Sequence, residues 1–458
     1  MRKILTLVFC SLMGMAYSQM AINKCAFNEI NQFHARHNPA YKNIIDATFH
    51  TALAYSRTQG KRNSDSVYRI PVVVHIVYNK PQENLHDSLV YNQIEVLNQD
   101  YRRKNADTSN LRPLFNGLGA DAGIEFYLAC TDPDGNPTTG ITRTQTNKTS
   151  FGNFLGMGVD EVKFDSTGGK SGWDYNRYLN IWVCNTGGAV LGLAYPPMGA
   201  PNWPSNAFPA DPRLQGVVVH YEVFGKNNPL ATGPYAIADQ GRTLVHEIGH
   251  YLGLRHIWGD GPLSLLGIPD CTVDDGIADT PNSGTNSQIE GCAPSKNTCN
   301  DGPGDLPDMW ENYMDYSEER CQNIFTQGQI NIMRAMIATA RSALLQPQCS
   351  DTTSNDTTSS STALYFKKSA VHTKLYPNPA THNLKIEVSS NPSAISSVQL
   401  ISLLDITGKC RSTFQPNNSF TTAHLQQTLD ISMLPAGIYF VKLTFANGFS
   451  ESLKFIKQ

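Results

Sequence analysis

Apolar residues recur along this chain with two periods. Unbroken β-branched runs at residues 69–78 and 216–221 predict buried strands, and the stretches at 124–129 and 178–184 predict two more. Helical spacing appears at 88–103, with Leu89, Ile94, Val96 and Leu97, and at 326–345, with Ile330, Met333, Met336, Ile337 and Leu344. Strands separated by helical or irregular segments indicate an α/β unit. His75, inside the first run, reads as a packed core histidine. Residues 187–196 are too rich in glycine for a packed central strand and predict an edge strand, to which an extended peptide can add.

The two ends of the chain follow other patterns. Met1-Arg2-Lys3, an apolar run over 4–15 and the small residues Ala16 and Ser18 have the form of a secretory signal peptide, cleaved before Gln19. Residues 19–60 contain one apolar periodic patch, 44–53, which predicts a short helix followed by an exposed polar segment suited to proteolytic release; Ser56–Arg57 is the preferred bond. At the other end, residues 350–363 are Ser, Thr, Asn and Asp with almost nothing to bury, and predict a flexible linker. Beyond it, short strands at 384–388, 398–405, 438–445 and 451–456 suit a small β-sandwich.

Composition narrows the function classes. The chain has 458 residues, 40% of them hydrophobic, and a formal charge of −3, with a sequence pI near 6.5, so nothing electrostatic supports a nucleic-acid partner. No second apolar run is long enough to span a bilayer, and an exported protein can form disulfides. Of the ten cysteines, loss of Cys10 with the signal leaves an odd number. Cys130 and Cys184 both end strand-like runs and are candidates for a bridge, whereas Cys349 and Cys410 have no assigned partner.

The candidate chemistry is concentrated at 246–256. On a helix spanning 239–251, His246 and His250 stand one turn apart on one face, where both can reach one ion, and Glu247 beside them is placed to take a proton from water. His256 is too distant for the same face, so the chain must turn back, and Gly253 can make that turn. Three neutral imidazoles leave a fourth position open, as a catalytic zinc site requires. The Cys25 thiolate can fill that position in a latent form. Downstream, Met314 sits in a short tight segment and can pack under the ligands, and the Tyr316 hydroxyl can stabilise an oxyanion. Between them, residues 259–312 form a long loop rich in Gly, Pro and Asp, with Cys271, Cys292, Cys299 and Cys321 available as staples. Asp270, Asp274, Asp275 and Asp279 supply hard oxygen donors suited to calcium.

These motifs, with the segments at 271–281 and 312–317, resemble the metzincin metallopeptidases of the bacterial pappalysin-like, or cytophagalysin, family over residues 61–349. The resemblance implies a metzincin-like α/β catalytic domain with an active-site helix and a twisted mixed sheet, behind a short N-terminal propeptide. It implies zinc ligands His246, His250 and His256, general base Glu247, Met-turn residue Met314, intermediate-stabilising Tyr316 and a cysteine switch at Cys25. It also implies crossed disulfides Cys271–Cys299 and Cys292–Cys321, and a structural calcium ion to which Asp275 and Thr280 contribute. Cleavage before Arg or Lys is implied too, with Glu319 or Glu318 as the acidic group that recognises the basic side chain.

Residues 364–458 resemble the type IX secretion sorting domain of Bacteroidetes through segments at 376–380, 404–409 and 434–439. The expectation is a secreted or surface zinc endopeptidase, made as a zymogen, whose partners are protein substrates and the secretion machinery. The alternative is an exported adhesion or binding protein that has lost turnover.

Overall fold

The computed structural model describes residues 23–37, 39–59, 66–152, 157–188, 190–197, 211–261, 268–288, 291–346, 371–390, 398–405, 409–415, 424–445 and 450–458. The expected signal peptide (1–18), the linker (350–363) and Cys349 lie outside the described residues. The chain folds as two units, Met1–Ser350 and Asp351–Gln458.

The first unit is built on a seven-stranded mixed sheet. Its strands are β1 (Asn23–Cys25), β2 (Tyr68–Tyr78), β3 (Ile124–Leu128), β4 (Ile141–Gln145), β5 (Leu179–Cys184), β6 (Val190–Ala194) and β7 (Val217–His220), in the order β1-β6-β7-β5-β2-β3 with β4 also on β2. Every pairing is parallel except β6 with β7. The 11-residue β2 is long enough to take two neighbours in succession along one side, β3 against residues 68–72 and β4 against 74–78. Its near-continuous burial explains why its sequence does not alternate, since a parallel strand is covered on both faces.

Helices α1 (Phe27–His37) and α2 (Pro39–Gln59) precede β2, and α3 (Asp87–Tyr101) follows it. Helix α4 (Arg242–Tyr251) carries the histidine motif, and α5 (Gln327–Ala338) completes the core. Helix α5 starts where Thr326 and Gln329 form a reciprocal cap, and it ends seven residues short of the predicted stretch, a 3-10 turn at Ser342–Leu345 burying Leu344 instead. One face of the sheet meets these helices through Val72, Val74, Ile181, Val219, Val245, Ile248, Met333 and Ile337, all fully buried.

Cys130 is disulfide-bonded, but not to Cys184, which is a free buried thiol. The expected Cys130–Cys184 bridge is therefore incorrect. The strands they terminate, β3 and β5, flank β2 on opposite sides, and strands one removed in a sheet lie about 10 Å apart, beyond disulfide reach. Cys271–Cys299 and Cys292–Cys321 are both formed, with Cα separations of 5.6 and 5.8 Å.

The second unit contains β8 (Val371–Tyr376), β9 (Asn383–Ser390), β10 (Val398–Asp405), β11 (Cys410–Phe414), β12 (His424–Asp430), β13 (Gly437–Phe445) and β14 (Ser450–Lys457). They form two antiparallel sheets, β11-β10-β13-β14 and β12-β9-β8. Alternate residues of both sheets, among them Leu384, Ile386, Ile401, Leu403, Val441, Leu443 and Phe455, share one core. Among the described residues, no helix is long and apolar enough to cross a membrane.

Candidate metal centre and active site

Helix α4 is fixed at both ends before its histidines are considered. At its start the Glu319 carboxylate accepts from the Thr243 amide, the Thr243 hydroxyl (2.7 Å) and the Gln240 amide (2.7 Å), supplying the negative charge that a helix N-terminus favours. Arg242, buried, donates to Asp100, Asp107 and the Glu319 carbonyl, tying the same end to α3. At its far end Gly253 takes φ 92°, the left-handed conformation glycine adopts at little cost, and a Cβ there would strike Met336. The turn brings His256 back to the helix, as the spacing predicts.

The three imidazoles converge. His250 Nε2 lies 3.1 Å from both His246 Nε2 and His256 Nε2. Their outer nitrogens are engaged elsewhere: His246 Nδ1 with the Tyr313 carbonyl (2.7 Å), His250 Nδ1 with the Leu254 carbonyl (2.9 Å) and His256 Nδ1 with the Asp260 carboxylate. A ring whose Nδ1–H is donated to a carbonyl presents a lone pair at Nε2, so His246 and His250 aim acceptors at one point, where only a cation relieves their repulsion. Burial, then repulsion from neighbouring histidines, holds both well below the usual imidazole range and keeps them neutral. Cys25 Sγ joins the cluster, with all four candidate ligand atoms within 4.8 Å of one another. Nitrogen and sulfur donors in this number suit zinc.

Glu247 lies between the cluster and the sheet edge. Its side chain is fully buried, Oε1 has no hydrogen-bond partner, and Oε2 accepts from Cys25 Sγ at 3.4 Å. Burial pushes its carboxyl well above the ordinary range. Gly192 of β6 makes this placement feasible, because any Cβ there would collide with the Glu247 carboxylate.

The segment at 312–317 lies beneath the ligands. Met314 is fully buried, and its sulfur fills the space a side chain at Gly249 would need. The Tyr316 ring meets the His256 ring edge-on at 4.9 Å, and its hydroxyl donates to the Cys25 carbonyl at 3.0 Å.

Three further residues that the sequence patterns do not single out approach the centre. Asp260, at φ 59°, orients His256; Trp258 stacks on His256 at 4.4 Å; and Phe27 lies on His250. Asp260 has a sequence signal, a carboxylate four residues beyond a suspected ligand, whereas the two rings have none. Strand β1 places Cys25 by pairing in parallel with β6, Cys25 opposite Gly192, so that β6 lies inside the sheet here and not at the edge its sequence predicts. Its preceding residue, Lys24, is buried in a chamber lined by Arg242, Thr243, His246, Asp315, Glu319 and Gln322, and its ammonium donates to the Ser317 carbonyl. Glu319 is thus at the chamber, while Glu318 is partly exposed and paired with Arg320 at 3.2 Å.

The expected calcium loop is less complete. Asp275 is buried and accepts from the Thr280 hydroxyl (2.7 Å) and the Ile277 amide (3.0 Å), but its Oδ2 has no hydrogen-bond partner. Burial pushes its carboxyl up to about 8, so an oxygen-seeking cation would relieve it. Asp279 is used otherwise, accepting from Thr326 and Gly328 at the start of α5, each at 2.8 Å.

Known proteins match both units. Residues 164–338 match the sequence family described as pregnancy-associated plasma protein-A, a peptidase family, and residues 374–458 match the secretion system C-terminal sorting domain. The structure of Tannerella forsythia promirolysin is similar, with a TM-score of 0.59 and 39% identity over 71% of this chain and 97% of that one. Mature mirolysin from the same organism, in complex with a cleaved peptide, gives a TM-score of 0.53 and 43% identity over 62% of this chain and 96% of that one. An extracellular metalloprotease of Arthroderma gypseum is 27% identical over 286 residues, 62% of this chain and 78% of its own.

Proposed function

Because the chain belongs to the pappalysin family of metallopeptidases and ends in a type IX secretion sorting domain, we propose that it is made as a latent zinc endopeptidase that cleaves proteins before Arg or Lys after export. The observation that carries the reading is the convergence of three imidazole Nε2 atoms beside the buried Glu247.

His246, His250 and His256 hold the metal, and Cys25 is the fourth ligand of the latent form. When bound, zinc polarises the scissile carbonyl and acidifies the attacking water. Glu247 accepts the proton of that water and passes it to the leaving amine, a role suited to a carboxylate with one unpartnered oxygen in a dry site. The Tyr316 hydroxyl donates to the oxyanion that develops on the substrate carbonyl, as it donates to the Cys25 carbonyl in the latent chain. Strand β6 holds the substrate extended, using the backbone that β1 occupies. Asp275 and Thr280 contribute to a structural calcium site.

Residues 1–18 serve as signal peptide, 19–60 as propeptide, 61–349 as catalytic domain, 350–363 as linker and 364–458 as sorting domain. Ser56–Arg57 lies in the last turn of α2, so cutting there requires that turn to unwind into an extended strand. Acidic groups around Lys24 support the basic preference.

The test compares peptide hydrolysis by the activated protein and its Glu247→Ala variant at equal zinc content. The expected result is loss of turnover with zinc retained, and undiminished hydrolysis would reject the assigned base. Cys25→Ala in the full zymogen is expected to show activity without processing; unchanged latency would reject the switch.

A further inference from the structure

Arg341 is a cation buried without a carboxylate. It lies just beyond α5, 5% exposed, and its amide donates to the Met336 carbonyl at 3.0 Å. Among the described residues its charge meets no acidic side chain; burial draws its pKa down to about 10, which leaves it protonated at neutral pH. Its partners are neutral acceptors. Nε donates to the Tyr251 carbonyl at 2.7 Å, and Nη2 donates to Gln215 Oε1 at 2.9 Å and to the Tyr195 carbonyl at the longer 3.4 Å. The guanidinium also lies over the Tyr251 ring, 3.3 Å from its centroid. Because Tyr251 is the last residue of α4, the cation sits at the negative end of the helix that carries His246 and His250.

Tyr195 is the other end of this clamp. In the antiparallel pairing of β6 with β7, the last registered pair is Ala194 with Val217. One step further, Gly216 has φ 134° and has left the extended conformation, so β7 does not continue the ladder. Arg341 takes the Tyr195 carbonyl there in place of a strand. The opposite side of β6 is differently used: the Gly192 carbonyl accepts from the Ala26 amide at 3.0 Å, and α1 begins at Phe27, so β1 follows this side only as far as Gly192. Since carbonyls alternate along a strand, Ala194 faces the same side as Gly192, whereas Tyr195 faces Arg341.

We propose that Arg341 is a positioning residue that ties the end of β6 to the end of α4, keeping Ala194 and Tyr195 extended so that the strand also holds substrate residues well before the scissile bond. The assignment rests on the reading of β6 as the strand that holds the substrate, with the Lys24 side receiving the residue after the cut. Tyr195 lies three residues beyond Gly192 on the side away from Lys24, about 10 Å along the strand, level with the third residue before the bond.

The full chain, activated by processing, is assayed on capped peptides that are identical after the cut and carry either two or four residues before it. In wild type kcat/KM is expected to rise about tenfold with the longer peptide, the worth of one or two backbone hydrogen bonds. In Arg341→Gln this gain is expected to shrink to about twofold or less, with the loss falling on KM, because a strand that holds ground and transition states alike acts on binding. Arg341→Lys keeps the charge but replaces the planar fork with a single ammonium, and is expected to lose the gain too, which covers the case in which Arg341→Gln does not fold. A gain that persists in either variant overturns the assignment. So does a loss equal on both peptides, the mark of a merely structural role. Wild-type protein that gains nothing from the longer peptide would instead refute β6 as the substrate strand, and the assignment with it.

Discussion

The Phe27 ring lies flat on the His250 imidazole, with centroids 3.9 Å apart and planes 4° from parallel. A residue of the N-terminal segment therefore covers one of the three converging rings, two positions after the cysteine that reaches the same cluster. Phe27 is 5% exposed, and truncating a ring buried to that degree costs about 3 kcal/mol. In Phe27→Ala the docked segment is expected to loosen, raising the basal peptidase activity of unprocessed protein by about a hundredfold at most. Activity no higher than that of the wild-type zymogen would show that the stacking has no part in latency.

Gly192 and Glu247 give a second prediction. A Cβ at Gly192 would strike the Glu247 carboxylate, so Gly192→Ala displaces the base instead of weakening the sheet. The expected outcome is a fall in kcat of about a hundredfold in the activated protein, with little change in melting temperature. A variant retaining kcat within about threefold would mean that the carboxylate has room to move and keep its task.

His75 is not part of the metal cluster and supplies a pH-dependent prediction. It is fully buried, bonded to Thr142 at 2.7 Å and Asn180 at 3.0 Å, and burial lowers its pKa to about 4. Because the unfolded histidine titrates near 6.5, the unfolded chain takes up the proton first, so the contribution is complete above pH 6.5 and is lost as pH falls toward 4. The loss amounts to about 3 kcal/mol over that window. Urea denaturation of wild type and His75→Gln between pH 4 and 7 isolates the effect: the difference in slope should vanish above pH 7, and identical profiles throughout would contradict the buried neutral histidine.

The unpartnered Oδ2 of Asp275 predicts a response to calcium. Adding calcium to protein stripped of it, with zinc held constant, is expected to raise the melting temperature of the first unit by several degrees, roughly the effect of 1–2 kcal/mol. Asp275→Asn should abolish the increment. An equal increment in both proteins would place the ion elsewhere.

The central strands and catalytic helix are legible in the sequence because their signals are local. Residues 69–78, 124–129, 178–184 and 216–221 all form strands within a residue or two of their predicted ends, and His246, His250 and His256 meet as their spacing implies. Strand β4 is not legible: Ile141–Gln145 is polar at four of its five positions and partly exposed at the margin of the sheet, so its sequence carries little hydrophobic period. Helix α1 and strand β1 escape the pattern because Asn23–Cys25 is a strand only through its pairing with β6. The Cys130–Cys184 pairing fails for a related reason, since strand order is a long-range property and both residues end similar runs. Lys24 and Phe27 act through contacts more than two hundred residues away in sequence, which no pattern of single residues records.

One short stretch, residues 313–321, performs several tasks at once. Its Tyr313 carbonyl steadies a metal-facing ring, Met314 underlies the helix, Ser317 and Asp315 border the cation chamber, Glu319 holds the helix start, and Cys321 is stapled to Cys292. Turnover and selectivity are therefore inherited as a unit: relatives that acquire a different taste in substrates must either accept a retuned catalytic centre or reshape the chamber from the opposite wall.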